Sequence, residues 1–459
     1  MSLEELAARL PEGTLRDSDD RYRHEPRSIA VGGAATVALP RTTEEVAEIV
    51  RHCHRARRPL VPYGGGTGLV GGQIHEGDAL VLSLERMDRI VSVHAQENAM
   101  TVEAGAILAS VQQAAKDAGR LFPLSLGSEG SARIGGLLGT NAGGVGVLKY
   151  GNMRDLTLGI DAVLPDGTVM RGATRLRKDN TGYDIRHLLI GAEGTLGVIT
   201  AASLRLFARP AQQGAAFLVV PSPAEALDLL ALARDVTGDA VTAFELIGGQ
   251  GLRFVAEHVP SARQPFDAPP PWSVLIEIGL PEGRPVQDVL EDVFVAAFER
   301  GLVTDGVVAS SEQQRMDFWH LRESIPEANR AVGAVASHDI SVPLGEIPRM
   351  IEEGTRRLAR FGVRLNIFGH AGDGNLHYNA FPAEGRARGD YADVKGEITR
   401  IVHDLVRDLD GSISAEHGIG RFKAADLVRY GDPGKLAAMR AIKAALDPHG
   451  IMNPGAVLA

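Results

Sequence analysis

The stretch SLGSEGSARIGGLLGTNAGGVGVLKYG, residues 125–151, carries glycines at 127, 130, 135, 136, 139, 143, 144 and 146. A surface loop does not need so many positions without a Cβ, whereas a long, flat partner lying against the backbone does. VPYGGGTGLVGG (61–72) and GAEGTLGVIT (191–200) have the same texture. Three such loops between residues 61 and 200 point to a cradle for one extended ligand with phosphates and a ring system.

The first loop contains Gly66-x-Gly68-x-x-Gly71, formally a dinucleotide fingerprint. In a doubly wound unit the third glycine opens a helix whose N-terminus receives a pyrophosphate. Here the loop runs into GQIHEGDALVLSL, a turn and a strand, so that reading fails on context. Successive glycines with freely oriented N–H groups can still form a concave anion nest, with Thr67 adding a hydroxyl. Taken alone, the loop reads equally well as a tight turn between two strands.

At 459 residues the chain exceeds one ordinary core, so two or three domains are expected. Residues 30–208 are glycine-rich and lean to short strands such as PLVPY and AMTVEAG, alternating with helices such as TTEEVAEIVRHCHRA. From about residue 214 the units lengthen: AAFLVVP, helix SPAEALDLLALARDV, VTAFELI, WSVLIEIGL, helix PVQDVLEDVFVAAFERG. That rhythm fits an antiparallel sheet covered by helices on one face. The expected division is 1–208, 209–420 and a helical segment 421–459. A net charge of −10 without a basic block argues against nucleic acid or an anionic membrane as main partner. The single cysteine, Cys53, allows no intrachain disulfide. No apolar run reaches the roughly 18 residues a membrane span needs. A cytoplasmic location is expected, with a peripheral place at the inner membrane left open.

PYGGGTGLVGG, IGGLLGTNAGG, KYGNMRDLTLGIDAVLPDG, GAEGTLGVIT and the terminal NPG resemble FAD-binding oxidoreductases of the vanillyl-alcohol-oxidase (PCMH-type) fold. The branch most similar is that of the FAD-linked D-2-hydroxyacid dehydrogenases, which includes D-lactate and D-2-hydroxyglutarate dehydrogenases and the glycolate oxidase flavoprotein subunit. The motifs run in order along nearly the whole chain. The resemblance implies an α+β protein: an FAD-binding domain, an antiparallel-sheet substrate (cap) domain and a C-terminal helical segment. It implies that Tyr63, Gly64, Gly65, Gly66, Thr67 and Gly68 hold the FAD pyrophosphate, with Pro62 also binding the cofactor. It sets Ser128, Gly135, Gly136, Asn141, Gly143, Glu193, Gly197 and Ile199 along the cofactor and Asn453 near the isoalloxazine. Some members of the wider fold tether FAD through a histidine in the first loop. Residues 64–72 contain none, so the FAD is expected to be non-covalent.

NIFGHAGDGNLHYNAF (366–381) places His370 and His377 on either side of Ala-Gly-Asp-Gly-Asn, a strong turn signal. Folding VRLNIFGH back on LHYNAF brings both imidazoles to one end of a hairpin. Cross-strand Cβ atoms lie about 5 Å apart, close enough to share a metal at about 2 Å per nitrogen. Two ligands make a weak site, and SAEHGIG (414–420) offers Glu416 and His417 in an irregular loop. On the residues alone, a metal site and a polar hairpin with two histidines both stand. The resemblance implies that His370, His377 and Glu416 ligate a divalent metal and that His417 is the base. Zinc suits two histidines and one glutamate with open positions, with manganese or iron as alternatives. Asp373 reads as the turn's own hydrogen-bonding residue.

In DFWHLRESIPEANRAVGAVASHDISVP (317–343), Arg322 matches the family arginine that grips the α-carboxylate, a task suited to a planar fork. Asn379 matches a position that reads the distal end of a dicarboxylate. The sequence then departs from the pattern: D-2-hydroxyglutarate dehydrogenases carry threonine where this chain has Pro326 and lysine where it has Ser337. A monocarboxylate such as D-lactate or glycolate therefore gains weight, unless Arg330 or His338 compensates. The expected reaction is FAD- and metal-dependent oxidation of a D-2-hydroxy acid to the 2-keto acid. The alternatives are a metal-independent alcohol oxidase of the same fold and a flavin-binding subunit of a glycolate-oxidase-like complex. With no NAD site and no cysteine cluster, electrons must leave from the reduced flavin. Electron-transfer flavoprotein, quinone, cytochrome and oxygen stay open as acceptors, and a homodimer is allowed for.

Overall fold

The computed structural model describes residues 2–75 and 77–458 of the chain, which form two compact units. One comprises Met1–Gly144, Tyr150–Arg209 and Glu416–Ala459; the other comprises Val145–Lys149 and Pro210–Ala415. The chain thus leaves the second unit between Ala415 and Glu416, inside SAEHGIG.

The first unit holds two main sheets among the described residues. Leu15–Asp17, Thr36–Ala38, Leu80–Ser83 and Leu60–Tyr63 lie side by side in that order, the last three parallel. The helix Thr43–Ala56 buries Val46, Ile49, Val50 and Cys53 against Leu60, Leu80 and Leu82. The Thr42 hydroxyl caps it by accepting from the Glu45 amide at 3.1 Å. The second sheet, Ile90–His94, Ala99–Glu103, Val198–Arg205, Thr157–Val163 and Val169–Met170, is antiparallel. It shares a core with the helices Leu108–Asp117 and Ile134–Thr140. The C-terminal segment carries the helices Ala424–Tyr430 and Pro433–Leu446 and then bridges Met452 to Leu60.

The second unit is built on a seven-stranded antiparallel sheet among the described residues. Its strands are β1 (Gln212–Val219), β2 (Val241–Gly248), β3 (Trp272–Leu280), β4 (Asp305–Val308), β5 (Ala336–Ser341), β6 (Arg364–Gly369) and β7 (Asn375–Phe381), in the order β4-β1-β3-β2-β6-β7-β5. Helices cover both faces rather than the one expected. On one face the helix Glu312–Val332 engages the sheet: Arg315 and Trp319 both donate to Glu277 on β3, and Arg322 pairs with Glu245 on β2. On the other, Gly354 of the helix Ile347–Leu358 lies against the Tyr378 ring, and Thr399 of the helix Lys395–Asp408 meets His338. The physical reason lies in the central strands. Every residue of β2 is buried, and VLIEIGL on β3 is nearly unbroken apolar sequence, the pattern of a strand covered on both sides. No helix among the described residues is long and apolar enough to cross a membrane.

Candidate active site

The hairpin β6–β7 pairs Arg364 with Phe381 and closes at Phe368 opposite His377. His370 is therefore not the cross-strand partner of His377 but lies one residue beyond the end of β6. Gly369, at φ +150°, makes the turn possible: a Cβ there would sit 2.7 Å from the Asn375 carbonyl oxygen. The two imidazoles end with ring centroids 5.9 Å apart and planes at 76°. The Asp373 carboxylate accepts from the Asn375 amide at 3.3 Å, the turn role expected of it.

Behind the hairpin stands Glu245, fully buried on β2. Its Oε1 accepts from His370 Nδ1 at 2.5 Å, and its Oε2 accepts from Arg322 Nε at 2.8 Å, with Nη2 at 2.7 Å. Burial alone would raise this carboxyl group; the charges of Arg322 and His370 hold it down to about 2 instead. An ionised Glu245 fixes the proton on His370 Nδ1, which assigns any ligation to Nε2, the usual tie between a metal-binding histidine and a carboxylate. Arg322 also lies over the Phe368 ring at 5.3 Å, and that ring packs on His377 at 4.9 Å. Glu245, His370, His377, Phe368 and Arg322 thus form a closed circuit on one sheet face.

Register extends this face. His377 is paired with Asp339, and Asn379 with Ser337 on one side and Asn366 on the other. Alternation along β5 and β7 therefore puts Ser337, Asp339, His377 and Asn379 on the same side. Asn375 Nδ2 donates to Asp339 Oδ1 at 2.9 Å. The Asp339 carbonyl in turn accepts from the amide of Ala415, the residue before Glu416, at 3.3 Å. His338 belongs to the opposite side, with Nδ1 at 2.7 Å from the Tyr378 carbonyl oxygen and its ring beside His403. It cannot compensate for a missing lysine at 337, because adjacent strand residues point to opposite faces. Arg330 and Pro326 are exposed on the helix that carries Arg322, four residues apart and so on one stripe with it.

In the first unit the glycine loops pack on one another. A Cβ at Gly65 would sit 2.1 Å from the Ser131 carbonyl oxygen, and one at Gly64 would sit 2.9 Å from Gly136 Cα. Part of the glycine requirement is thus backbone against backbone, which the sequence alone did not separate from contact with a ligand. Gln73 Nε2 draws in the carbonyls of Gly66 and Gly68 at 3.4 and 2.8 Å. Among the described residues, no amide from Gly65 to Gly68 donates to a protein acceptor, the arrangement an anion nest needs. The residues present therefore fit a bound pyrophosphate.

Other residues expected along the cofactor have internal roles. Ile199 packs in the hydrophobic core, and Asn141 Oδ1 accepts from the Arg154 amide at 2.8 Å. Ser128 lends its carbonyl to the amides of Ser131 and Ala132, and Gly197 lies against the Val163 carbonyl. Asn453 braces three segments: Nδ2 donates to Gly72 O and Glu193 O, and Oδ1 accepts from Arg421. Burial raises the Glu193 carboxyl above its ordinary value, while bonds from the Ile419 and Gly420 amides pull the other way.

Glycine loops with free backbone donors in the first unit, and in the second a histidine pair backed by a buried carboxylate, are what an FAD-linked oxidoreductase requires. Residues 209–457 match the model for the C-terminal domain of FAD-linked oxidases, and residues 34–173 match an FAD-binding domain. D-2-hydroxyglutarate dehydrogenase, mitochondrial, from Bos taurus is 39% identical over 92% of this chain and 77% of its own length. D-2-hydroxyglutarate dehydrogenase from Xanthomonas citri pv. viticola is 36% identical over 91% of this chain and 88% of its own. The substrate-bound structure of p-cresol methylhydroxylase shares the fold at a TM-score of 0.75 and 14% identity, over 99% of this chain and 95% of that one. The chain belongs to the FAD-linked D-2-hydroxyacid dehydrogenase family of the vanillyl-alcohol-oxidase FAD-binding fold.

Proposed function

We propose that this enzyme oxidises a D-2-hydroxy acid to the 2-keto acid with non-covalently held FAD and a divalent metal, D-2-hydroxyglutarate being the first candidate substrate. The observation that carries the reading is the Glu245–His370–His377 arrangement, with Arg322 closing the circuit. Glu416, the residue after the anchored Ala415, supplies the third ligand in this reading. When bound, FAD supplies the hydride acceptor and the cation supplies a Lewis acid that lowers the pKa of the substrate hydroxyl. His417 takes the hydroxyl proton, since an imidazole can accept one near neutral pH. Arg322 holds the α-carboxylate, its charge shared with Glu245. Asn379 and Arg330 read the distal end.

The relatives named for D-2-hydroxyglutarate support the dicarboxylate. Ser337 and Pro326 favour a second reading, a monocarboxylate such as D-lactate, because the residue paired with Asn379 is Ser337 rather than a lysine. The acceptor after the flavin is a quinone, an electron-transfer flavoprotein or a cytochrome, and a cytoplasmic place remains the proposal for this chain. Chelation tests the metal. Removing it is expected to abolish bleaching of the flavin by D-2-hydroxyglutarate without releasing FAD, and zinc or manganese should restore bleaching. Bleaching at the untreated rate by metal-free protein would return the chain to the metal-independent oxidase reading.

A further inference from the structure

The carboxylate of Glu193 lies among the backbone of the loop that follows His417. Oε1 accepts from the Ile419 amide and Oε2 from the Gly420 amide, each at 2.8 Å. The Glu193 backbone adopts φ +50°, uncommon for a residue with a side chain, and is held there from both sides. Its amide donates to Gly139 O at 2.8 Å, and its carbonyl accepts from Asn453 Nδ2 at 2.8 Å. The loop continues under the same control. The amides of Arg421 and Phe422 donate to Val70 O, and the Arg421 guanidinium reaches Gly71 O, Gly72 O and Asn453 Oδ1. At Gly418, φ +80°, a Cβ would sit 2.8 Å from Glu193 Oε1, so the carboxylate also selects the glycine after His417.

We infer that Glu193 is a positioning residue, whose carboxylate sets the conformation of residues 418–420 and thereby the placement of His417, rather than a contact to the cofactor. The inference rests on the proposed role of His417 as base. Both carboxylate oxygens are engaged by consecutive amides, and charge-assisted bonds of this kind are about twice as strong as neutral ones. Ala415 is tied to Asp339 and Ile419 to Glu193, so the segment carrying Glu416 and His417 is fixed at both ends by separate hydrogen bonds.

The test is Glu193→Gln, which keeps size and shape but leaves one of the two amides facing an NH₂ group. FAD content and the substrate's apparent KM are expected to stay within about twofold, while bleaching at saturating D-2-hydroxyglutarate slows about tenfold or more. Hydrogen exchange in a peptide spanning 414–422 should accelerate. Glu193→Asp, which retains the charge at shorter reach, should recover part of the rate. Rate loss in proportion to FAD loss would make Glu193 a cofactor contact and overturn the inference, as would unchanged bleaching. If no 2-hydroxy acid bleaches the wild-type protein, the proposed function fails. The exchange measurement then decides this inference alone, faster exchange supporting it and unchanged exchange overturning it.

Discussion

His417→Ala is expected to slow bleaching of the flavin by a D-2-hydroxy acid by about 10²–10⁴-fold, the usual contribution of a positioned general base. The yellow protein should keep its FAD, because His417 is not part of the glycine loops whose free amides suit the phosphates. The residue sits between two anchors in sequence: Ala415, bonded to Asp339, and Ile419, bonded to Glu193. Anchoring the backbone on either side of an imidazole is useful to a proton acceptor, since small misplacements cost large factors in rate. Stopped-flow absorbance at saturating substrate separates this loss from a loss of binding. A variant that bleaches within a few-fold of wild type would remove His417 from the chemistry.

The second large effect concerns stability. Glu245→Ala leaves the Arg322 charge buried without its partner, a change that typically costs about 3–5 kcal/mol. It also removes the acceptor that fixes the His370 tautomer, for which a loss of about 10–100-fold in metal affinity is expected. Denaturant titration together with metal analysis checks both. Glu245→Gln, which preserves volume, should fall between the two proteins. Wild-type stability and full metal content in Glu245→Ala would show that the circuit behind the hairpin is incidental.

What could be read in advance was local chemistry. The turn around Asp373, the glycine loops and the Thr42 cap each announce themselves within a few residues. Glu245 did not, because it lies 125 residues from His370 and 77 from Arg322, and a lone glutamate inside VTAFELI carries no signal of what it faces. The same holds for Asp339, assigned to the site by strand register, and for Arg421, whose carbonyl partners Gly71 and Gly72 are about 350 residues away in sequence. Register also separated Ser337 from His338, two neighbours that a linear reading weighed together. The coverage of both sheet faces is written in the unbroken apolar runs of β2 and β3, whereas the alternation of strands and helices by itself implies only one covered face. The family resemblance sets Asn453 and Glu193 along the cofactor, and it carries no sign of the hydrogen bonds they make within the protein. The two side chains serve the backbone that builds the glycine loops.

The most direct measurement is anaerobic mixing of the purified holoprotein with D- and L-enantiomers of 2-hydroxyglutarate and lactate, followed by flavin absorbance. Rapid bleaching by D-2-hydroxyglutarate, with the L-enantiomers inert, is the predicted result. Faster bleaching by D-lactate would keep the chemistry and move the substrate to the monocarboxylate that Ser337 and Pro326 favour. A flavin that stays oxidised with every one of these acids would contradict the account.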